Sequence, residues 1–125
     1  MQSIPYLYLL LIIIAQPTQT RSTSFRMGDL VILGVPGEIA AQFGIDVKSK
    51  VREIVGAKTV TIGGLADEWV SYILPAAEYR QGGYEASGAL WGPKQGQYLA
   101  DHTVDGWNAF LAGETPDGPE PIEPF

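Results

Sequence analysis

The sequence has no cysteine among its 125 residues, which excludes disulfide bonds, thiolate metal sites and cysteine nucleophiles. Histidine is almost as scarce. Because His102 is the only one, a catalytic scheme that needs two imidazoles cannot be completed by this chain alone. Basic residues are also few, eight Lys and Arg against fourteen Asp and Glu, and they form no cluster. Since a nucleic-acid surface depends on clustered positive charge, the net charge of −6 predicts no nucleic-acid partner.

Side-chain charge is missing from residues 1–20, where residues 4–15 (IPYLYLLLIIIA) form a nearly continuous apolar run. The run is shorter than the ~20 residues that a membrane-spanning helix needs. Its position and length are typical of a secretory signal segment, which predicts a secreted or periplasmic protein. However, no Lys or Arg precedes the run, and no small-x-small cleavage site follows it. The alternative is that residues 8–14 form a buried strand, so both predictions stand for the segment 1–24.

Three elements are predicted in the middle of the chain. The run DLVILG at 29–34 predicts a short buried strand, and KTVTIG at 58–63 predicts a second one. Between them, apolar residues at three- and four-residue spacing predict a helix that begins at Glu38, continues to Val55 and stops at Gly56. Its apolar stripe consists of Ile39, Phe43, Val47, Val51 and Ile54. Strand, helix and strand with short connections predict a βαβ-like unit with parallel strands, and hence an α/β fold.

Residues 63–93 combine five large aromatic side chains with six glycines and four acids. Because Gly and Pro interrupt any single helix or strand, this segment predicts a long shaped loop of the kind that lines sites. A C-terminal helix is expected to begin near Pro93 and to stop at Gly113. Its apolar face would contain Tyr98, Leu99, Val104, Trp107, Phe110 and Leu111. The tail 114–125, with four prolines and four acids, is predicted to be disordered.

A few side chains are candidates for chemistry. Glu38 follows a strand and a Pro-Gly turn, at the sheet edge where open α/β folds bind ligands. It would equally suit the first turn of a helix, where the helix dipole favours an acid. The phenols of Tyr72, Tyr79 and Tyr84 could contribute oxygen ligands, or the rings could be buried with their hydroxyls bonded to the backbone. His102 is expected to be a surface or packing residue.

One combination of motifs resembles the neutral (non-lysosomal) ceramidases in order and spacing, over residues 25–113, about seven-tenths of the chain. The matching residues are Arg26, Gly28, Leu30, Ile32 and Val35-Pro36-Gly37-Glu38, then Gly64-Leu65, Tyr72, Glu78-Tyr79, Tyr84-Glu85-Ala86-Ser87 and Gly92-Pro93. Where the family commonly has Asn and Tyr ahead of its ligand Tyr, this chain has Asp67 and Trp69. The resemblance implies that residues 25–113 are the C-terminal part of a larger, mixed-sheet catalytic domain.

Neutral ceramidases are zinc-dependent amidases, secreted or membrane-associated, that cleave ceramide into sphingosine and a fatty acid. The resemblance implies that Glu38 and Tyr72 are two zinc ligands. The family's two zinc histidines and its catalytic serine lie earlier in its chain, in a part without a counterpart here, so this chain would hold a half-site and no catalytic residue. A ceramide-like lipid amide, a complementary N-terminal fragment and a peripheral membrane contact are the partners implied. The alternative is a non-catalytic remnant or interaction module of the same fold.

Overall fold

A computed structural model describes residues 19–114. The predictions of a signal segment or buried strand within 1–18, and of a disordered tail from 115 onward, lie outside the described residues. None of the helices in the described part combines the length and apolar character needed to cross a membrane.

The described chain begins with a β-hairpin that the sequence analysis did not predict. Strand β1 (Ser24–Met27) runs antiparallel to β2 (Leu30–Val35) through a two-residue turn at Gly28 and Asp29. Gly28 has a φ of 59°, a left-handed conformation that glycine adopts without steric cost at the first position of a tight hairpin turn. All four residues of β1 are exposed, so the strand lacks the apolar alternation that would have revealed it.

The Pro-Gly turn after β2 leads into a second, very short strand, β3 (Glu38–Ile39). The helix predicted to begin at Glu38 begins instead as α1 (Ala41–Val55), so that part of the prediction was wrong. The reason is long-range backbone pairing. The Glu38 N–H donates to the carbonyl of Ser71 (3.1 Å), and the chain stays extended as far as Ala40, whose ψ is 146°.

The βαβ-like unit itself is confirmed. Strand β4 (Thr59–Gly64) pairs parallel with β2, and Val31 lies opposite Val60 in the register. Gly56 ends α1 with a left-handed φ of 61°, and its N–H donates to the carbonyl of Arg52. β1, β2 and β4 therefore form a three-stranded mixed sheet in that spatial order.

The segment 63–93 is not one long loop, which corrects the prediction. It contains strand β5 (Tyr72–Ile73), paired parallel with β3, and the short helices α2 (Ala76–Gln81) and α3 (Tyr84–Gly88). Elements of two, six and five residues are too short to produce a periodic sequence signal. Beyond them, α4 (Gln95–Ala112) confirms the predicted C-terminal helix and ends at the expected glycine.

The core lies between the three-stranded sheet, α1 and α4. Its buried members include Val31, Leu33 and Val35 of β2, Val60 of β4, Phe43, Val47, Val51 and Val55 of α1, and Leu99, Ala100 and Trp107 of α4. Three residues predicted on the apolar face of α4 are instead exposed, namely Tyr98, Phe110 and Leu111; Phe110 keeps 62% of its surface accessible. This helix is therefore buried along a narrower stripe than its sequence predicts.

Candidate metal site

Glu38 and Tyr72 lie side by side on the two-stranded sheet. In the parallel pair of β3 and β5, Glu38 is directly opposite Tyr72, and Ile39 is opposite Ile73. Neighbouring strands lie about 4.8 Å apart and in-register side chains point to the same face, so the carboxylate and the phenol share one wall. The structure thus brings together the two residues that the sequence analysis named as metal ligands.

The segment before β5 is anchored so that this register holds. Ser71 is buried with a φ of 74°, an unusual conformation for a residue with a side chain, and its hydroxyl donates to the carbonyl of Gly88. The N–H of Val70 donates to the carbonyl of Pro36 (2.6 Å). Gly37 allows the close approach of the two chains, because a Cβ at that position would lie 2.5 Å from the carbonyl oxygen of Ser71.

The Glu38 carboxylate has a partner that the sequence analysis did not assign. The indole Nε1 of Trp69 donates a hydrogen bond to Glu38 Oε1 at 3.2 Å. This bond restricts the orientation of the carboxylate and leaves its second oxygen available to a ligand. The preceding loop turns through left-handed residues, with φ values of 58° at Leu65 and 68° at Asp67, and so positions the indole beside β3. The sequence analysis noted that Trp69 replaces the Tyr that the family commonly has and assigned it no partner.

The Tyr72 phenol is held by a second aromatic residue. A hydrogen bond with Tyr84, reinforced by desolvation and by the nearby charge of Glu38, raises the pKa of Tyr72 from 10.0 to about 12. The two rings meet edge to face, with centroids 5.7 Å apart. Tyr84 is 75% exposed, which excludes for this residue the alternative of a buried ring. At neutral pH the Tyr72 phenol is therefore protonated, and a nearby cation would be needed to favour the phenolate.

An open cavity of about 740 Å³ extends from these two side chains. Its wall combines three carboxylates with a small apolar surface, and it is lined by Glu38, Ile39, Ala40, Ala41, Tyr72, Leu74, Glu78, Gln81, Gly82, Glu85 and Ala86. Within residues 19–114, no three His, Cys, Asp or Glu side chains are close enough together to hold a metal ion. The described residues therefore do not form a complete cluster of such ligands by themselves.

Two other candidates lie away from this wall. Tyr79 is half-buried on α2 and does not line the cavity, which agrees with a packing role. His102 is exposed on α4, as expected for a surface residue, and its ring packs against that of Tyr98 with centroids 4.1 Å apart and planes tilted by 57°. The structure brings neither of them to Glu38.

Comparison with known proteins decides the family. Residues 11–101 match the protein-family model described as "Neutral/alkaline non-lysosomal ceramidase, N-terminal". The chain belongs to the neutral ceramidase family. It is 35% identical over 101 residues to neutral ceramidase B of Dictyostelium discoideum, and 32% identical over 80 residues to the neutral ceramidase of Pseudomonas aeruginosa.

The match covers much of this chain and little of its relatives. The Dictyostelium alignment includes 72% of this chain and 14% of that protein, so the chain spans about one seventh of the relative's length. The crystal structure of the Pseudomonas ceramidase superposes with a TM-score of 0.74 at 27% identity, over 83% of this chain and 17% of that one. The ceramidase-like fold is therefore shown. The placement of residues 25–113 in the C-terminal part of the catalytic domain stays a prediction.

Proposed function

We propose that this chain supplies part of the zinc-binding wall of a ceramidase-type N-acyl amide hydrolase and is inactive alone. The observation that carries the proposal is the register of β3 and β5, which sets Glu38 opposite Tyr72 on the cavity wall in a chain of this family. The two zinc histidines and the catalytic serine implied by the family resemblance would come from a complementary N-terminal part of the domain.

The donor set fits zinc as a half-site. A carboxylate and a phenol are both oxygen donors, whereas a tight zinc site takes about four ligands, so these two residues need others to complete it. When bound, the ion would polarise an amide carbonyl and make a water molecule more acidic. Trp69 would orient the Glu38 carboxylate through its indole N–H, and Tyr84 would hold the Tyr72 hydroxyl toward the cavity wall.

The substrate proposed is a ceramide-like lipid amide. The relatives are named neutral ceramidases, and the cavity volume lies in the range of small-molecule sites, about 300–1,000 Å³. A second solved structure, titled "Ceramidase complexed with C2", shares the fold with a TM-score of 0.72 at 24% identity. A lipid substrate would favour peripheral membrane contact, and export would follow if residues 4–15 act as a signal segment.

The first experiment measures the lone chain. Two ligands on an open wall leave a bound ion mostly hydrated, so metal analysis of the purified chain should find no stoichiometric zinc, and a fluorescent ceramide should remain uncleaved. One equivalent of tightly held zinc would refute the half-site, and turnover would refute the proposed inactivity of the lone chain.

The second experiment completes the site. Residues 25–113 replace the equivalent segment of the Pseudomonas ceramidase, and zinc content and ceramide hydrolysis are measured on the chimera. Glu38→Ala and Tyr72→Phe should each lower zinc content or turnover, because each removes a ligand. Tyr79→Phe is the matched control and should change neither. Equal losses in all three variants would show that the effect is structural and would contradict the assignment.

A non-catalytic remnant is the second candidate. The scarcity of histidine favours it, since the only histidine is exposed on α4 and away from the cavity. A chimera that folds, with the circular dichroism spectrum of the parent enzyme, but binds no zinc would support this candidate over the hydrolase.

A further inference from the structure

The loop of residues 65–71 lies between β4 and β5 and is anchored at both ends. At its start, the N–H of Ala66 donates to the carbonyl of Val35 (3.0 Å). At its end, the carbonyl of Val70 accepts a hydrogen bond from the side-chain amide of Gln95 (3.2 Å). The loop is therefore held from β2 on one side and from α4 on the other.

This anchored loop contains three residues in a left-handed conformation. The φ values are 58° at Leu65, 68° at Asp67 and 74° at Ser71. Such values are unfavourable for residues with a side chain, persist only where the surrounding structure determines them, and cluster at functional sites. The hydroxyl of Thr23 supports the loop further by donating to the Asp67 carboxylate. Trp69, within this loop, is 54% exposed, so burial of its ring does not account for its position.

The indole of Trp69 contacts one particular oxygen of the Glu38 carboxylate. Its Nε1 donates to Oε1 at 3.2 Å, and Oε2 is not used by this bond. A metal ion that bound both oxygens would have to share Oε1 with an N–H group, whose positive end repels a cation. An ion bound through Oε2 alone would leave the hydrogen bond intact. The contact therefore favours one way of using the carboxylate over the other.

We infer that Trp69 is a positioning residue that restricts Glu38 to coordination through one oxygen, and so makes the proposed site favour zinc over calcium. The inference rests on the proposed function, in which Glu38 is a zinc ligand. Zinc takes about four ligands, and a single carboxylate oxygen is enough for it. Calcium takes about six to eight oxygen ligands and often engages both oxygens of a carboxylate.

The cavity wall gives a reason for such discrimination. It is lined by the carboxylates of Glu38, Glu78 and Glu85, and oxygen ligands of this kind are the ones that calcium prefers. Without the indole N–H, Glu38 would be free to offer both of its oxygens on a wall that is already acidic. Trp69 therefore acts on the choice of metal through Glu38, without being a ligand.

The first experiment tests the hydrogen bond in the full chain without metal. Hydrogen exchange of the Trp69 indole N–H, assigned by its loss in Trp69→Phe, is measured by NMR in the unsubstituted chain and in Glu38→Ala. Exchange should be at least about fivefold faster in Glu38→Ala, because an exposed donor loses its acceptor. The indole N–H of the buried Trp107 should exchange at an unchanged rate, which shows that the variant is folded. Glu38→Leu takes the place of Glu38→Ala if the latter unfolds.

The second experiment measures metal selectivity in the Pseudomonas chimera, where the remaining ligands are present. Zinc and calcium are each titrated into the metal-free protein, and the ratio of their dissociation constants is compared between variants. Trp69→Phe keeps an aromatic ring and removes the N–H, so it should lower the preference for zinc over calcium about tenfold.

Trp91→Phe is the matched control for this measurement. The Nε1 of Trp91 is buried without a hydrogen-bond partner in the part of the chain that the structure describes, and Trp91 does not line the cavity. This substitution also replaces an indole by a phenyl ring, and it should leave the zinc-to-calcium ratio unchanged.

Three results would overturn the inference. Equal exchange rates of the Trp69 N–H with and without the Glu38 carboxylate would show that the hydrogen bond does not form. Zinc binding with an unchanged zinc-to-calcium ratio in Trp69→Phe would refute the role in selectivity and leave the proposed function standing. A chimera that binds no zinc although Trp69 is intact would refute the proposed function itself, and the inference with it.

Discussion

The close approach of α4 to the backbone that follows β5 leads to a prediction that can be worked out from distances. Gly96, in the first turn of α4, lies so close to Leu74, the residue after β5, that an added Cβ would be 2.3 Å from the carbonyl oxygen of Leu74 and 3.0 Å from its carbonyl carbon. Both are backbone atoms, so the helix or the segment at Leu74 would have to move. Overpacking of this kind costs about 1–3 kcal/mol, and the higher helix propensity of Ala returns about 1 kcal/mol at most.

Gly106 provides the matched control in the same helix. An added Cβ there meets nothing within 4 Å, so Gly106→Ala should stabilise the chain by up to about 1 kcal/mol. Gly96→Ala should destabilise it, and the two variants should differ by about 2 kcal/mol. With a urea slope of about 1 kcal/mol/M, the midpoints of unfolding measured by circular dichroism should differ by about 2 M. Equal midpoints would refute the argument that the backbone of Leu74 packs against α4 at Gly96.

Three shorter predictions concern association, targeting and ionisation. Strand β4 has no partner on its outer edge within the described residues, so the purified chain should form oligomers at rising concentration in sedimentation experiments; a sharp two-state melt from a dilute monomer would count against this. A reporter fused after Thr23 should be exported if residues 4–15 are a signal segment, and its retention in the cytoplasm would support the alternative of a buried strand at residues 8–14. Since the pKa of Tyr72 is raised to about 12, its neutral form contributes stability that is complete below pH 10 and is lost as the pH rises toward 12. In a pH titration followed by phenolate absorbance, Tyr72→Phe should therefore remove the transition that occurs at the highest pH. Persistence of that transition in the variant would show that it does not belong to Tyr72.

The βαβ-like unit could be predicted from the sequence because its signals are local and repeated. The apolar positions of α1 recur over fifteen residues, and Val47 and Val51 are buried as that spacing requires. Gly56 marks the end of the helix, since only glycine adopts its left-handed φ without steric cost. Each of these signals depends on residues within a few positions of one another.

Strand β3, which contains Glu38, could not be predicted from local sequence signals in the same way. A Pro-Gly-Glu sequence suits a helix start as well as an extended segment, and local propensity does not distinguish them. The choice is made by Ser71 and Ile73, more than thirty positions away, whose carbonyls accept the N–H groups of Glu38 and Ala40. Pairing over that distance leaves no periodic signal, and two-residue strands are too short to add one. The family resemblance brought Glu38 and Tyr72 together where spacing could not.

The aromatic residues show a related limit. The Trp and Tyr residues of 63–93 predicted a loop that lines a site, with burial of the Tyr rings as the alternative; Trp69 and Tyr84 are in fact exposed and hold polar partners at the cavity wall. An aromatic side chain with a donor group can either fill a core or form a hydrogen bond at an exposed site, and the sequence pattern is the same in both cases.

The close contact at Gly37 links the motif to the proposed chemistry. A side chain at that position would meet the carbonyl of Ser71, which is the atom that accepts the Glu38 N–H. Any residue larger than glycine would therefore push β5 away from β3 and separate the carboxylate from the phenol of Tyr72. In this chain the glycine of Pro-Gly-Glu matters for pairing, whereas its neighbour supplies the proposed ligand. The two-oxygen wall is thus a property of the pairing between two distant segments, and neither segment forms it alone.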